Sequence, residues 1–179
     1  MYKLELTILQ QKVLRFLFIH AGESFTARAI SKSLGVSQPG LSKSLPGLKK
    51  IGFVNVLKDR ESKRLTIKLN RDSQLAIGIK RADNLMQIYE SGIVSFLEEY
   101  LPGATIILFG SYSRGDDTNV SDIDIAVIGR KEKEVDTTIY ERVLQRKINL
   151  QFYSSMSSVQ KELRENLCNG IIIAGSVEL

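Results

Sequence analysis

Two aspartates, Asp122 and Asp124, stand two residues apart at the start of an apolar run. Successive side chains of a β-strand point to opposite faces of the sheet, so residues two apart share a face. The two carboxylates therefore lie side by side and repel each other unless a cation stands between them. Hard carboxylate oxygens suit Mg²⁺ or Mn²⁺. The spacing predicts a divalent metal site with Asp122 and Asp124 as its ligands.

A Gly-Ser corner before the aspartates is a candidate phosphate site. The apolar run Ala104 to Phe109 predicts a buried strand that ends at Gly110-Ser111. Gly110 permits unusual backbone angles and close approach of a phosphate, and Ser111 offers a hydroxyl and a backbone N–H. Arg114 is a further candidate for phosphate contact, although a solvated turn arginine fits equally well. Phosphate recognition beside a two-carboxylate metal site indicates metal-assisted chemistry on a nucleoside triphosphate.

The complete motif consists of Gly110-Ser111, ten spacer residues (112–121) and Asp122-Ile123-Asp124. It resembles the signature of the nucleotidyltransferase superfamily that includes DNA polymerase beta, and especially its minimal nucleotidyltransferase branch. The resemblance implies a Mg-NTP substrate, Asp122 and Asp124 as catalytic metal ligands, and transfer of a nucleoside monophosphate to a hydroxyl. Some minimal nucleotidyltransferases adenylylate a partner protein, so a protein acceptor stays open.

One later strand departs from the family pattern. Family members usually carry a third carboxylate there, whereas the matching segment Ile148–Phe152 has Asn149 at that position and Gln151 on the same face. An amide oxygen can ligate a metal, but it brings no charge and cannot act as a base. Either Asp116 or Asp117 supplies the missing acid, or the domain is a weak enzyme, or it binds nucleotide without turnover.

The segments around the motif predict a small mixed sheet with flanking helices. We expect an amphipathic helix over 130–146, a strand over 148–152, a helix over about 159–168 and a strand or packed tail over 171–174. The apolar stripe of the first helix would consist of Val135, Ile139, Val143 and Leu144, and Cys168 is expected to pack.

Charge is distributed unevenly along the 179 residues, whose formal net charge is +5. Residues 1–70 contain 13 Lys or Arg and 4 Asp or Glu, whereas residues 71–179 contain 12 and 16. A basic N-terminal part joined to an acidic remainder indicates two modules with different partners. The basic module could face nucleic acid.

The basic part has the pattern of three helices and a hairpin. Apolar spacing and caps predict helices over 7–20, 27–34 and 37–51, followed by strands over 54–58 and 64–69. The segment 25–37, and above all its Leu34-Gly35-Val36-Ser37 turn, resembles the winged helix-turn-helix domains of archaeal and bacterial regulators.

This second resemblance implies DNA binding, with two sets of contacts. The third helix would read a major groove, and the wing would contact phosphates. The candidate readers are Gln38, Ser42 and Lys43, and the candidate phosphate contacts on the wing are Arg60, Lys63 and Arg64. Winged helices also mediate protein contacts, so that alternative stays open.

The whole chain is therefore expected to be α/β (α+β), with a winged helix domain at 1–70, a linking helical segment at 71–100 and a minimal nucleotidyltransferase domain at 101–179. A metal-dependent nucleotidyltransferase is the first reading. The alternative is a DNA-binding transcriptional regulator whose nucleotidyltransferase domain is degenerate or senses nucleotide. No apolar run approaches the length of a membrane span and the N-terminus has no signal-peptide pattern, so a cytoplasmic location is expected. A homodimer is left open.

Overall fold

The computed structural model describes residues 5–58 and 64–176. It divides into two compact units, residues 1–80 and 81–179. Arg60 and Lys63, two of the predicted wing contacts, lie outside the described residues.

The N-terminal unit has winged-helix architecture, as predicted. Its three strands form an antiparallel sheet in the order β1-β3-β2. The sequence did not reveal β1, because a strand of two residues has no readable periodicity. The elements are α1 (Ile8–Ile19), β1 (Phe25–Thr26), α2 (Ala27–Leu34), α3 (Gln38–Ile51), β2 (Val54–Lys58) and β3 (Leu65–Leu69).

Local hydrogen bonds fix the helix starts in this unit. Thr7 and Gln10 form a reciprocal capping box at the start of α1. The Ser37 hydroxyl accepts a hydrogen bond from the Gly40 N–H at the start of α3. Gly35 has φ 64°, which ends α2 in the left-handed conformation that glycine adopts without strain. The helix-turn-helix geometry thus follows from the turn residues that the sequence singled out.

The helical segment after the wing consists of two helices, α4 (Gln74–Glu90) and α5 (Ile93–Tyr100). Two glycines, Gly78 and Gly92, lie in this segment. Only Gly92 interrupts the segment, with φ 81°, whereas Gly78 lies inside α4. The division between the two units falls within α4.

The C-terminal unit is built on a mixed four-stranded sheet. Its order is β6-β5-β4-β7, with β5 and β6 parallel and the other pairs antiparallel. The last apolar run, for which the sequence left a strand or a packed tail open, forms a strand. The elements are β4 (Thr105–Phe109), α6 (Gly110–Arg114), β5 (Ile123–Ile128), α7 (Thr138–Leu144), β6 (Ile148–Tyr153), α8 (Lys161–Cys168) and β7 (Ile171–Ala174).

The two faces of this sheet have different environments. On one face, Ile123, Ile125 and Val127 of β5 join the main apolar core, which includes α5. On the other face, Ala126 and Ile128 join a smaller cluster that includes residues of α8. Since side chains alternate along a strand, Asp124 belongs to the face of the smaller cluster.

Three sequence expectations were wrong in this unit. The helix expected over 130–146 is limited to Thr138–Leu144, because Asp136 accepts a hydrogen bond from the Thr138 N–H and Gln145 adopts φ 54°. Ile139 and Val143 of the supposed apolar stripe are 64% and 60% exposed, whereas Leu144 is buried. Cys168 is also exposed, although it was expected to pack.

Within residues 5–58 and 64–176, no helix is both long enough and apolar enough to span a membrane.

Candidate functional site

Asp124 lies at the centre of a set of polar groups near the start of β5. It is paired with Phe109 on β4 and with Asn149 on β6. The Asn149 side-chain Nδ2 donates a hydrogen bond to Asp124 Oδ1 at 3.1 Å. Asn149 stands where the resemblance leads us to expect a third carboxylate. It therefore contacts the second aspartate of the motif as a hydrogen-bond donor.

Gly110 brings the Gly-Ser turn against the same carboxylate. It has φ 72°, and a Cβ added there would lie 2.5 Å from Asp124 Oδ2. Only a residue without a side chain fits this close approach, which explains the glycine. Ser111 follows as the second residue of α6 and is partly buried, while the Ser113 hydroxyl donates to the Gly110 carbonyl at 2.9 Å. The predicted phosphate turn and one predicted metal ligand are thus in direct proximity.

Asp122 is exposed and immediately precedes β5. The next residue, Ile123, donates its backbone N–H to the Lys147 carbonyl at 2.8 Å, so Asp122 lies beside the chain that enters β6. The pKa of Lys147 is raised, chiefly by its hydrogen bond to Glu141, and the Asp122 carboxylate contributes a smaller electrostatic effect. Lys147 Nζ is 2.8 Å from Glu141 Oε2.

Sequence reasoning missed Lys147 and Glu141, because they lie outside the motif. Glu141 also accepts a hydrogen bond from the Ile148 N–H at 3.0 Å. The carboxylate thereby connects α7 to the first residue of β6, one position before Asn149. The only available signal was the position of Lys147 directly before an apolar strand.

Arg114, the predicted phosphate ligand, is the last residue of α6. Its Nε is 3.2 Å from Asp116 Oδ2, and both side chains are about half exposed. A contact between Arg114 and a phosphate would compete with this exposed ion pair, which costs little to break.

Asp116 and Asp117, the two acids that the sequence offers in place of the third carboxylate, each contact another side chain. Asp116 pairs with Arg114, and Asp117 is 1% exposed and accepts a hydrogen bond from Asn84 Nδ2 at 2.7 Å. In the described part of the chain, no three His, Cys, Asp or Glu side chains lie together in a way that could hold a metal ion. Asp122 and Asp124 are therefore the acidic residues that the motif predicts for the site.

The predicted DNA-contacting residues that the structure describes are all exposed on the N-terminal unit. Gln38, Ser42 and Lys43 are all exposed on α3, and Gln38 and Ser42 are four residues apart, hence on one face. Arg64 is exposed just before β3.

Residues 90–172 match the family model of the nucleotidyltransferase domain. The matched range contains Gly110, Ser111, Asp122, Asp124 and Asn149. A search of the curated proteins found no match.

Solved structures of winged-helix regulators resemble the N-terminal half. The adhesin competence repressor AdcR from Streptococcus pyogenes is 20% identical, with a TM-score of 0.42 over 54% of this chain and 69% of that chain. MepR, a transcription regulator of the Staphylococcus aureus multidrug efflux pump MepA, is 25% identical, with a TM-score of 0.42 over 54% and 69%. A MepR–DNA complex from the same organism is 21% identical, with a TM-score of 0.38 over 53% and 81%. Because these scores are low, the winged-helix architecture rests on the element order and sheet described above.

Proposed function

Because the C-terminal unit carries a nucleotidyltransferase domain, we propose that this protein binds a nucleoside triphosphate and transfers its nucleoside monophosphate to a hydroxyl. We include DNA binding by the winged helix in the same proposal. The observation that supports the transferase activity most directly is the close approach of Gly110 to Asp124 Oδ2. It places a turn suited to phosphate beside a carboxylate suited to a metal.

The donor set fits Mg²⁺ or Mn²⁺. Mg²⁺ is commonly bound by one or two carboxylates together with substrate phosphates, and it keeps several waters. Asp122 and Asp124 supply two carboxylates, and Asp124 is only partly buried, so it is accessible. A bound Mg²⁺ would neutralise charge that develops on the phosphate oxygens.

The protein residues have separate roles in this proposal. Gly110 and Ser111 hold the phosphates through the backbone of the turn, and Arg114 adds a charged contact once released from Asp116. Asn149 orients the Asp124 carboxylate through its hydrogen bond. Since an amide cannot act as a base for the proton of the attacking hydroxyl, that proton leaves to solvent while pyrophosphate leaves from the α-phosphorus, and turnover is expected to be slow.

We propose only the chemical class of the acceptor, which is a hydroxyl group. Asp122 and Asn149 are both exposed, so the candidate site is accessible from solvent. A hydroxyl on a partner protein is consistent with this accessibility. Radiolabel from an α-labelled nucleotide on an interacting protein would identify it.

A second function is favoured by one specific contact. The Asn149 amide donates to Asp124 Oδ1 at 3.1 Å, and at this position it supplies neither the negative charge nor the base that a third carboxylate would bring. In this alternative the protein is a DNA-binding transcriptional regulator whose C-terminal domain senses a nucleotide and does not turn it over.

The deciding experiment is a calorimetric titration of ATP, GTP, CTP and UTP, with and without Mg²⁺. The variants are Asp122→Asn and Asp124→Asn, and the matched control is Asp72→Asn, an exposed aspartate of the other unit. Mg²⁺-dependent binding that is lost only in the site variants supports the nucleotide site. Label transfer with pyrophosphate release then separates the enzyme from the sensor. Binding that survives in both site variants contradicts the proposed ligands.

A further inference from the structure

Three polar side chains meet inside the C-terminal unit, and none of them belongs to the candidate site. Asn84 and Asp117 are each 1% exposed, and Arg146 is 8% exposed. Burial of such groups is costly unless they are hydrogen-bonded or paired. Their arrangement therefore needs an explanation beyond the packing of the core.

Asn84 joins three segments through a single amide group. Its Nδ2 donates to the Tyr112 carbonyl of α6 at 2.9 Å and to Asp117 Oδ1 at 2.7 Å. An Nδ2 amide carries two N–H donors, so it can serve a backbone carbonyl and a carboxylate at once. Leucine has the same branching and number of side-chain heavy atoms as asparagine, but it has no hydrogen-bond donor. Asn84 thereby ties α4 to α6 and to the loop that follows α6.

Asp117 extends the network to the segment that leads into β6, the strand that carries Asn149. Its Oδ2 lies 4.0 Å from Arg146 Nη2, and both side chains are almost fully buried. Arg146 directly precedes Lys147, whose carbonyl accepts the Ile123 N–H. The same buried charge pair is thus connected through the chain to the starts of both β5 and β6.

Asp117 lies in the spacer that connects the two parts of the candidate site. The spacer 112–121 separates Gly110-Ser111 from Asp122, and Asp117 lies in its middle. Gly115 ends α6 at φ 81°, and the Thr118 N–H bonds the Ser121 hydroxyl at 3.0 Å before the chain enters β5. Anchoring the middle of the spacer fixes both of its ends, which are the phosphate turn and the aspartate pair.

We propose that Asn84, with Asp117 and Arg146, is a positioning residue that holds the Gly110-Ser111 turn and the spacer in the geometry needed for nucleotide binding. This inference rests on the proposed function of the same site. It also gives Asp117 a role other than that of a substitute metal ligand.

The test compares the full-length protein with Asn84→Leu and Asp117→Asn. The control is Asn70→Leu, because Asn70 Nδ2 makes a comparable bond to the Gly52 carbonyl at 2.9 Å in the other unit. We expect Asn84→Leu and Asp117→Asn to bind Mg-nucleotide roughly 10- to 100-fold more weakly, since the loss of one hydrogen bond to a charged group corresponds to a change of about that size. The control should keep wild-type nucleotide affinity even if it lowers the melting temperature.

Hydrogen exchange provides a readout that needs no nucleotide. In Asn84→Leu, the amides of residues 110–117 should exchange faster, while those of α5 keep their protection. If protection falls uniformly across the unit, or if affinity falls only in proportion to the unfolded fraction, the network is merely structural and the proposal is overturned. Should Asn84→Leu fail to fold, Asp117→Asn, which preserves side-chain size, decides by the same two readouts.

Failure of the proposed function gives a different pattern. If the wild-type protein binds none of the four nucleotides, the proposed function fails while the exchange experiment still decides whether Asn84 holds the turn. If the wild type binds nucleotide and both variants bind equally well with unchanged exchange, only the positioning role fails.

Discussion

At the residue scale, the identity of residue 149 governs what the site can do. Asn149 donates to Asp124 and thereby compensates part of the charge of that carboxylate without a metal. An aspartate at this position would remove the donor and add a second acceptor. The single difference between an amide and a carboxylate thus changes both the charge of the site and its capacity to take up a proton.

Asn149→Asp should convert a weak site into a stronger metal site. We expect Mg²⁺ to raise the melting temperature of this variant more than that of the wild type, because the added charge is relieved by the cation. Any label transfer should rise by roughly 10²-fold, the usual contribution of a general base. Differential scanning fluorimetry across Mg²⁺ concentrations and an α-labelled nucleotide assay measure the two effects.

Asn149→Ala is the control for that experiment, because it removes the donor without adding an acid. Equal Mg²⁺ responses in the two variants would show that residue 149 does not face a metal.

Gly110→Ala should abolish nucleotide binding, whereas Gly129→Ala should not. Both glycines have positive φ, 72° and 86°, so both substitutions cost about 1–2 kcal/mol of backbone strain. Only at position 110 does the new Cβ collide with the Asp124 carboxylate, since nothing lies within 4 Å at position 129. Urea unfolding measures the loss of stability that both variants share. Calorimetry measures the loss of nucleotide binding, which is expected only for Gly110→Ala. Loss of binding in both variants would point to general destabilisation.

At the element scale, α7 and β6 are connected by a charge-assisted contact beside the site. Glu141 accepts hydrogen bonds from Lys147 and from the Ile148 N–H, and these contacts lower the pKa of the Glu141 carboxyl, with the Lys147 bond the larger cause. They fix the start of the strand that presents Asn149.

Glu141→Gln should destabilise the protein at pH 7 but not in acid. A carboxyl whose folded pKa is lowered stabilises the fold above its unfolded pKa, near 4.3 for glutamate, and this contribution is lost as the pH falls through the folded pKa. The difference in urea midpoint between variant and wild type should therefore shrink from pH 7 to about pH 3. Glu162→Gln on the surface of α8 is the control. A difference that does not depend on pH would exclude the carboxylate as its cause.

At the scale of the whole molecule, the chain joins a basic unit to an acidic one. DNA binding through counterion release depends on the local charge of the basic unit and is weakened by salt. The exposed positions on α3 and before β3 are the described surface where this can be tested.

Arg64→Ala should reduce the salt dependence of DNA binding. The slope of log K against log salt should fall by about 0.9 for each lost phosphate contact. Gln38→Ala should change discrimination between sequences more than the slope. Fluorescence anisotropy at several salt concentrations measures these quantities, with Lys161→Ala on α8 as the charge-matched control. If Lys161→Ala changes the slope equally, the exposed residues on α3 and before β3 are not the specific DNA contacts.

The sequence by itself determined most of the element types and the motif. Turn residues and caps such as Gly35, Ser37 and Gly92 act locally, so their consequences could be read from neighbouring residues. The spacing of Gly110, Ser111, Asp122 and Asp124 is likewise a property of the chain, and it led to the same family that residues 90–172 match.

Tertiary structure alone decided which groups meet. The hydrogen bond between Asn149 and Asp124 joins residues 25 apart, and the Asn84–Asp117 bond joins residues 33 apart. The exposure of Ile139 and Val143 also escaped the sequence, because an apolar helical stripe does not reveal whether another element covers it. Local patterns specify strands and turns, whereas sheet register and long-range packing specify the surroundings of each carboxylate.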